Sequence, residues 1–215
     1  MTYVDIVNNV LRRMREEEVT SVQDTTYSKM VGDFVNDAKK LVEDAWDWSS
    51  LRTTLTVDTV EDIFSYSLVG SKNKIKILDA LNDTSNFFLE YKGSSWFNDK
   101  YLNSTTAAKG TPVNYSFNGV DENGDTVVEV YPKPNDVYSL RFNVVLRNED
   151  LVNDTDNLVI PSQPVIHMAV ALLARERGET GGTSTPEYFG IADKYLSDAI
   201  ALDAARHPEE LVWYS

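Results

Sequence analysis

Residues 25–59 read TTYSKMVGDFVNDAKKLVEDAWDWSSLRTTLTVDT, and the periodicity changes inside this stretch. Up to Ala45 the apolar residues recur at helical spacing. Tyr27, Met30, Val31, Phe34, Ala38, Leu41, Val42 and Ala45 fall on one stripe, and Lys29, Asp33, Asp37, Lys40 and Glu43 face away from it. Asp24 and Thr25 are both good N-caps for this helix. It closes in Trp46–Asp47–Trp48, and paired tryptophans at a helix end mark the point where a chain passes into a different layer. From Leu51 the period drops to two: Leu51, Thr53, Leu55 and Val57 alternate with polar neighbours, the pattern of a half-buried strand.

Working outward, residues 2–17 predict another helix. Thr2 and Asp5 are spaced as a capping box, Tyr3, Ile6, Val7, Val10, Leu11 and Met14 form its apolar face, and Arg12, Arg13 and Arg15 suit the negative end of its dipole. Beyond Leu51, strands are expected at 63–69, 75–78, 86–91, 112–117, 126–131 and 138–146, with a short helix or turn at 95–102. Asn118–Gly119 and Asn123–Gly124 supply turns, and Pro132 and Pro134 break the last run. The final quarter is helical again. Ser162 is expected to cap a helix with Pro164 in its first turn and Gly178 as its stop. After a connector at 181–184, Thr185–Pro186–Glu187 opens a helix through Phe189, Ala192, Tyr195, Leu196, Ala199 and Ile200 that ends at Pro208. The order helices, strands, helices predicts an α+β fold. Residues 1–50 and 158–207 form a helical bundle, 51–157 an inserted, mostly antiparallel β domain, and 208–215 a tail.

The chain has 215 residues, 42% of them apolar and 25% charged, enough to bury a core. Its formal net charge is −14, the wrong sign for a protein that grips nucleic acid by its phosphates. There is no cysteine, which removes disulfides, thiolate nucleophiles and cysteine-bound zinc. The start of the sequence lacks the apolar core of a signal peptide, and no run approaches the ~20 apolar residues of a membrane span. Catalytic patterns are missing. His167 lies within an apolar helix and His207 before Pro208, on different helices. Lys92–Gly93–Ser94–Ser95–Trp96 lacks the glycine pattern of a nucleophile elbow. Asp121–Glu122–Asn123–Gly124–Asp125 places its glycine wrongly for a calcium loop and reads as a hairpin turn. Asp150, Asn153, Asp154 and Asp156 read as an acidic surface loop. No catalytic residue, cofactor or metal ligand is expected. What asks for a partner is Leu211, Val212, Trp213 and Tyr214, four apolar or aromatic residues in a row after Pro208. Two readings are open for them: folding back on their own core, or insertion into a neighbour as an anchor.

Several segments, in order, carry a resemblance. Lys109–Gly110–Thr111–Pro112–Val113–Asn114–Tyr115 opens a strand. Val128–Glu129–Val130–Tyr131–Pro132–Lys133–Pro134–Asn135–Asp136 is a proline-flanked break, followed by the strand Tyr138–Ser139–Leu140–Arg141–Phe142. Leu158–Val159–Ile160–Pro161 leads back into helix. With the two opening helices ending in tryptophan, this resembles the head-to-tail adaptors (connectors, of the tail tubular protein A type) of tailed bacteriophages. The resemblance implies a virion structural protein, made in the host cytoplasm and placed at the head–tail junction. It implies self-association into a ring, usually twelvefold, held between a portal protein and a tail nozzle or tube. DNA would pass through the lumen without specific binding, and no membrane is involved. Leu211, Val212, Trp213 and Tyr214 are then candidate portal or subunit contacts. The alternative is a phage-associated carbohydrate- or receptor-binding module without catalytic activity, with Trp96 and Tyr101 as a sugar platform. A hydrolase hidden among the carboxylates ranks last.

Overall fold

The computed structural model describes residues 1–72, 75–102, 107–178 and 185–206. Helix α1 (Tyr3–Arg13) starts in the expected capping box: Asp5 N–H donates to Thr2 Oγ1, and Thr2 N–H to Asp5 Oδ2. It buries Tyr3, Ile6, Val7, Val10 and Leu11. It stops four residues short of the expected end, because the chain reverses at Arg15 (φ 59°). The Asn8 side chain then exchanges two 2.9 Å hydrogen bonds with the Val19 backbone, drawing the chain back along the helix.

Helix α2 (Thr26–Ala45) is capped by Thr25, which trades hydrogen bonds with Ser28. Its buried face is rotated from the expected stripe. Val31, Val35, Ala38 and Val42 face inward with Gly32, Asn36, Lys39 and Glu43, while Leu41 is exposed. Lys39 and Glu43 are both almost fully buried. Lys39 Nζ lies 3.1 Å from Glu43 Oε1 and donates at 2.9 Å to the carbonyl of Asn148. A charge is tolerable there because each ion has an opposite partner one turn away and the ammonium has a further acceptor. At Gly32 a Cβ would run into the Tyr3 hydroxyl of α1 and Val22 Cγ1. After α2, a 3-10 turn (Ser49–Leu51) follows Trp48, which is completely buried and donates its indole N–H to Val42 O at 2.7 Å.

Two compact units result, one of residues 1–51 with 148–206 and the other of 52–147. The stretch 148–157, assigned to the β domain from sequence, belongs with the helices. Asn36 holds Leu151 like a strand partner (Nδ2 to Leu151 O 3.0 Å, Leu151 N–H to Oδ1 2.9 Å). Val22 N–H donates to Asp154, and Tyr3 N–H to Asp156 O. Helix α4 (Ser162–Arg177) follows. Its N-cap is Pro161, with Ser162 the first helical residue and no side-chain cap bond, so the expected Ser162 cap is not used. It buries ten residues and ends at Gly178 in the left-handed conformation (φ 63°). Helix α5 (Thr185–Ala204) packs on α4.

Among its described residues the second unit holds eight strands: β1 (Arg52–Asp58), β2 (Ser65–Ser67), β3 (Ile75–Asn82), β4 (Phe87–Phe88), β5 (Glu90–Tyr91), β6 (Asn114–Val120), β7 (Thr126–Tyr131) and β8 (Ser139–Leu146). They form two four-stranded sheets, ordered β1-β8-β3-β4 and β2-β7-β6-β5, antiparallel except for β5 on β6. The expected single strand 86–91 is divided. Phe87–Phe88 pairs with β3, Glu90–Tyr91 pairs with β6, and buried Leu89 between them donates to Ala80 O at 2.7 Å. The chain changes sheets there. The sheets enclose one core built on Leu68, Val128, Val130, Leu140, Phe142 and Val144. A short helix, α3 (Ser94–Tyr101), covers part of β6.

In an exposed helix interior Gly→Ala stabilises by about 1 kcal/mol. Gly32→Ala should instead lower stability, by roughly 1–3 kcal/mol for overpacking, in denaturant unfolding. Lys39→Met alone should cost about 3–5 kcal/mol by leaving a buried carboxylate uncompensated, and the double variant Lys39→Met/Glu43→Leu should recover most of the loss. A double variant as unstable as the single one would mean that the pair is not what the site requires.

Candidate assembly surface

The carboxylates that might have gathered a cation are taken up by the backbone. Asp121 Oδ1 accepts from the N–H groups of Asn123 and Asp125 at 2.9 Å, making the expected hairpin turn between β6 and β7. Asp156 Oδ2 accepts from Val152 and Asn153 at 2.8 Å, Asp154 from Val22, and Asp150 pairs with Lys40. Among the described residues no three His, Asp or Glu side chains are grouped to hold a metal ion. No described helix is long and apolar enough to cross a membrane. His167, half-buried on α4, stacks on Tyr195 of α5 with ring centroids 4.1 Å apart. Burial, with Arg13 nearby, holds its pKa below the ordinary value. It joins two helices.

The aromatics considered as a sugar platform are largely engaged with one another. Tyr101 stacks on Phe64 at 4.4 Å and donates its hydroxyl to Val130 O. Trp96 meets Phe97 and Tyr131 edge-on, with Lys100 Nζ 5.6 Å from its ring centroid.

Unsatisfied apolar surface is found on α5 instead. Of its 20 residues only Ala192 and Asp203 are buried. Ile191 (44% exposed), Tyr195 (40%) and Leu202 (66%) lie along the helix at spacings of four and seven, a continuous stripe beside the face that meets α4. The stripe runs down to a hollow of about 280 Å³ walled by Val159, Ile160, Pro161, Ala199, Leu202 and Arg206. Isolated exposed apolar residues need no explanation, but an aligned row on a helix does. From sequence Tyr195 is placed in the apolar set of this helix and Val159 in the run leading into α4, neither on an interaction surface, and Ile191 and Leu202 are not singled out. The available signal was that α5 is apolar on more than one side. Leu211, Val212, Trp213 and Tyr214, together with His207, lie outside the described residues.

Asp203 anchors the lower end of α5. Its carboxylate accepts from Ser49 N–H (2.9 Å), from the Ser49 hydroxyl and from the Trp46 indole (3.1 Å). Burial alone would push its pKa up, but the Ser49 and Trp46 hydrogen bonds, aided by Arg206, outweigh it and hold the carboxyl below its ordinary value. A depressed carboxyl stabilises fully above the unfolded value, and that contribution fades as pH falls through the folded one. Stability should therefore drop below about pH 4, and Asp203→Asn should remove that part of the drop while costing about 1–2 kcal/mol at neutral pH. Denaturant midpoints measured from pH 7 to 3 check both.

No curated protein matches the chain. The family model described as "SU10 adaptor protein" matches residues 1–209, which takes in both helical segments and the whole β unit. With that match, and with the α+β order of elements described above, the chain belongs to the SU10 adaptor protein family, a phage head-to-tail adaptor family, and is a structural component of the virion.

Proposed function

We propose that the protein forms a ring, twelvefold as the resemblance implies, that joins the portal to the tail nozzle or tube and makes part of the DNA conduit. The observation that carries this reading is the exposed stripe of α5. A 20-residue helix that leaves Ile191 and Tyr195 half in water is a helix awaiting a neighbour, and in a ring the neighbour is a second copy presenting a different face. Repeated around a closed ring, a contact too weak to hold a dimer gains from each copy already in place. The net charge of −14 supports passage of DNA through the lumen over binding of it, since like charges repel at short range. Leu211, Val212, Trp213 and Tyr214 are proposed as the portal or subunit contact, with Trp213 and Tyr214 as the aromatic anchors that such interfaces favour. Catalysis has no part in this reading.

The test is mass by light scattering or native spectrometry, first on the protein alone and then with the portal of the same phage, followed by electron microscopy of the complex. A ring is expected, either alone or on the portal. Ile191→Asp should abolish it while leaving the circular dichroism unchanged, because its side chain is 44% exposed in the free subunit and, unlike Tyr195, is not stacked on α4. A stable monomer that ignores the portal would sink the reading.

A further inference from the structure

We infer that the outer edge of strand β1 pairs with β1 of a second copy, antiparallel about Leu55, so that the sheets holding β1 in two subunits join into one. A sheet edge is a row of unpaired N–H and C=O groups, and folds blunt it with short strands, lysine, proline or a bulge. The other edge strands are short: β2 has three residues, and β4 and β5 have two each. Strand β3, which β4 covers at Leu81 and Asn82, has Lys76 and a register irregularity between Ile77 and Asp79. Strand β1 has none of these devices. Its seven residues read RTTLTVD, with no proline or lysine, and they keep one register against β8 from Arg52 to Asp58. Thr59 N–H donates to Tyr138 O, so by the alternation of an antiparallel ladder the N–H and C=O groups of Arg52, Thr54, Thr56 and Asp58 point away from β8. Among the described residues no strand lies beside β1 on that side.

The residues of β1 select the partner. Laid antiparallel on a second copy about Leu55, Arg52 falls opposite Asp58 at both ends, Thr54 opposite Thr56, Thr53 opposite Val57, and Leu55 opposite itself. Opposite charges and threonine pairs set directly across from each other stabilise an antiparallel pair. In this register the outward backbone groups of Thr54 meet those of Thr56, as a hydrogen-bonded pair requires. A shift by one residue sets them against groups already bonded to β8, and a shift by two parts Arg52 from Asp58. Leu55 and Val57, half-buried against the core between the sheets, gain cover from Leu55 and Thr53 of the other copy. One strand edge buries less than the ~1,200 Å² of a stable interface, so the pair is weak and forms at high concentration. It is a twofold contact, closed at two copies, and is therefore not the lateral contact of a cyclic ring. It joins free subunits or two rings, and it does not rest on the ring reading.

The chain has no cysteine, so one introduced thiol reports the register. Leu55→Cys in the full chain, oxidised at rising protein concentration, should give a disulfide-linked dimer, because the two Cα atoms of such a non-hydrogen-bonded pair stand about 4.5 Å apart, within the reach of a disulfide. Val57→Cys alone should not, its own counterpart lying about 13 Å along the strand, whereas Thr53→Cys mixed with Val57→Cys should link. Thr56→Pro, added to Leu55→Cys, removes an outward N–H at an edge position where the free subunit tolerates proline, and linkage should fall about tenfold. Asp58→Arg should slow it about as much by setting like charges opposite at both ends, and Arg52→Asp added to it should restore the rate. A Leu55→Cys thiol still free at the highest concentration overturns the pairing, and is the result expected if a strand of another protein is the occupant. Val57→Cys linking as fast as Leu55→Cys, or linkage indifferent to Thr56→Pro with the circular dichroism unchanged, overturns it too. Every variant is made in the Ile191→Asp background, so failure here leaves the ring test standing, and failure of the ring test leaves this result standing.

Discussion

The helical unit depends on polar side chains that α2 buries. Lys39 reaches the carbonyl of Asn148 while Glu43 neutralises it from one turn away, and Asn36 takes both backbone groups of Leu151. These contacts meet the chain where it returns after 96 residues of β structure, 52–147. A purely apolar face on α2 would bury the same area but could not fix which residues of the returning strand lie where, because hydrophobic contact has no direction. Hydrogen bonds to specific carbonyl and amide groups do, and the cost of an unmet buried charge, several kcal/mol, penalises any other register.

With residues 148–160 fixed, the rest of the unit follows. Leu151, Leu158 and Ile160 are presented to the core, Asp154 and Asp156 meet the backbone of Val22 and Tyr3, and Pro161 starts α4 in place. Helix α4 is then apolar on nearly every side because it packs against α1, α2 and α5. Helix α5 packs mainly on α4 among the described elements and is tied at its lower end by Asp203. It keeps its remaining apolar side chains outward, and they become the surface on which the functional reading stands.

Much of this was legible in the sequence. The order of elements, the Thr2 capping box, the tryptophan pair and the strands at 126–131 and 138–146 all follow from local signals of periodicity and capping. What was not legible depended on partners remote in sequence. Glu43 was read as solvated, and a buried face containing Lys39 was not seen, because a hydropathy stripe treats charge as outward. The pair is acceptable inside only because Asn148 arrives from 109 residues away. The split of 86–91 at Leu89 was invisible for the same reason: its two halves are distinguished only by which strand lies beside each. The row Ile191–Tyr195–Leu202 could be recognised only once α4 was seen to cover the other side of the helix.

Strands β1 and β8 are register partners, Arg52 opposite Val145, so the β unit begins and ends on adjacent strands about 5 Å apart. Everything between is reached and left through one narrow doorway. A module attached in this way can lengthen, shorten or be replaced outright between related proteins without moving either end of the helical frame.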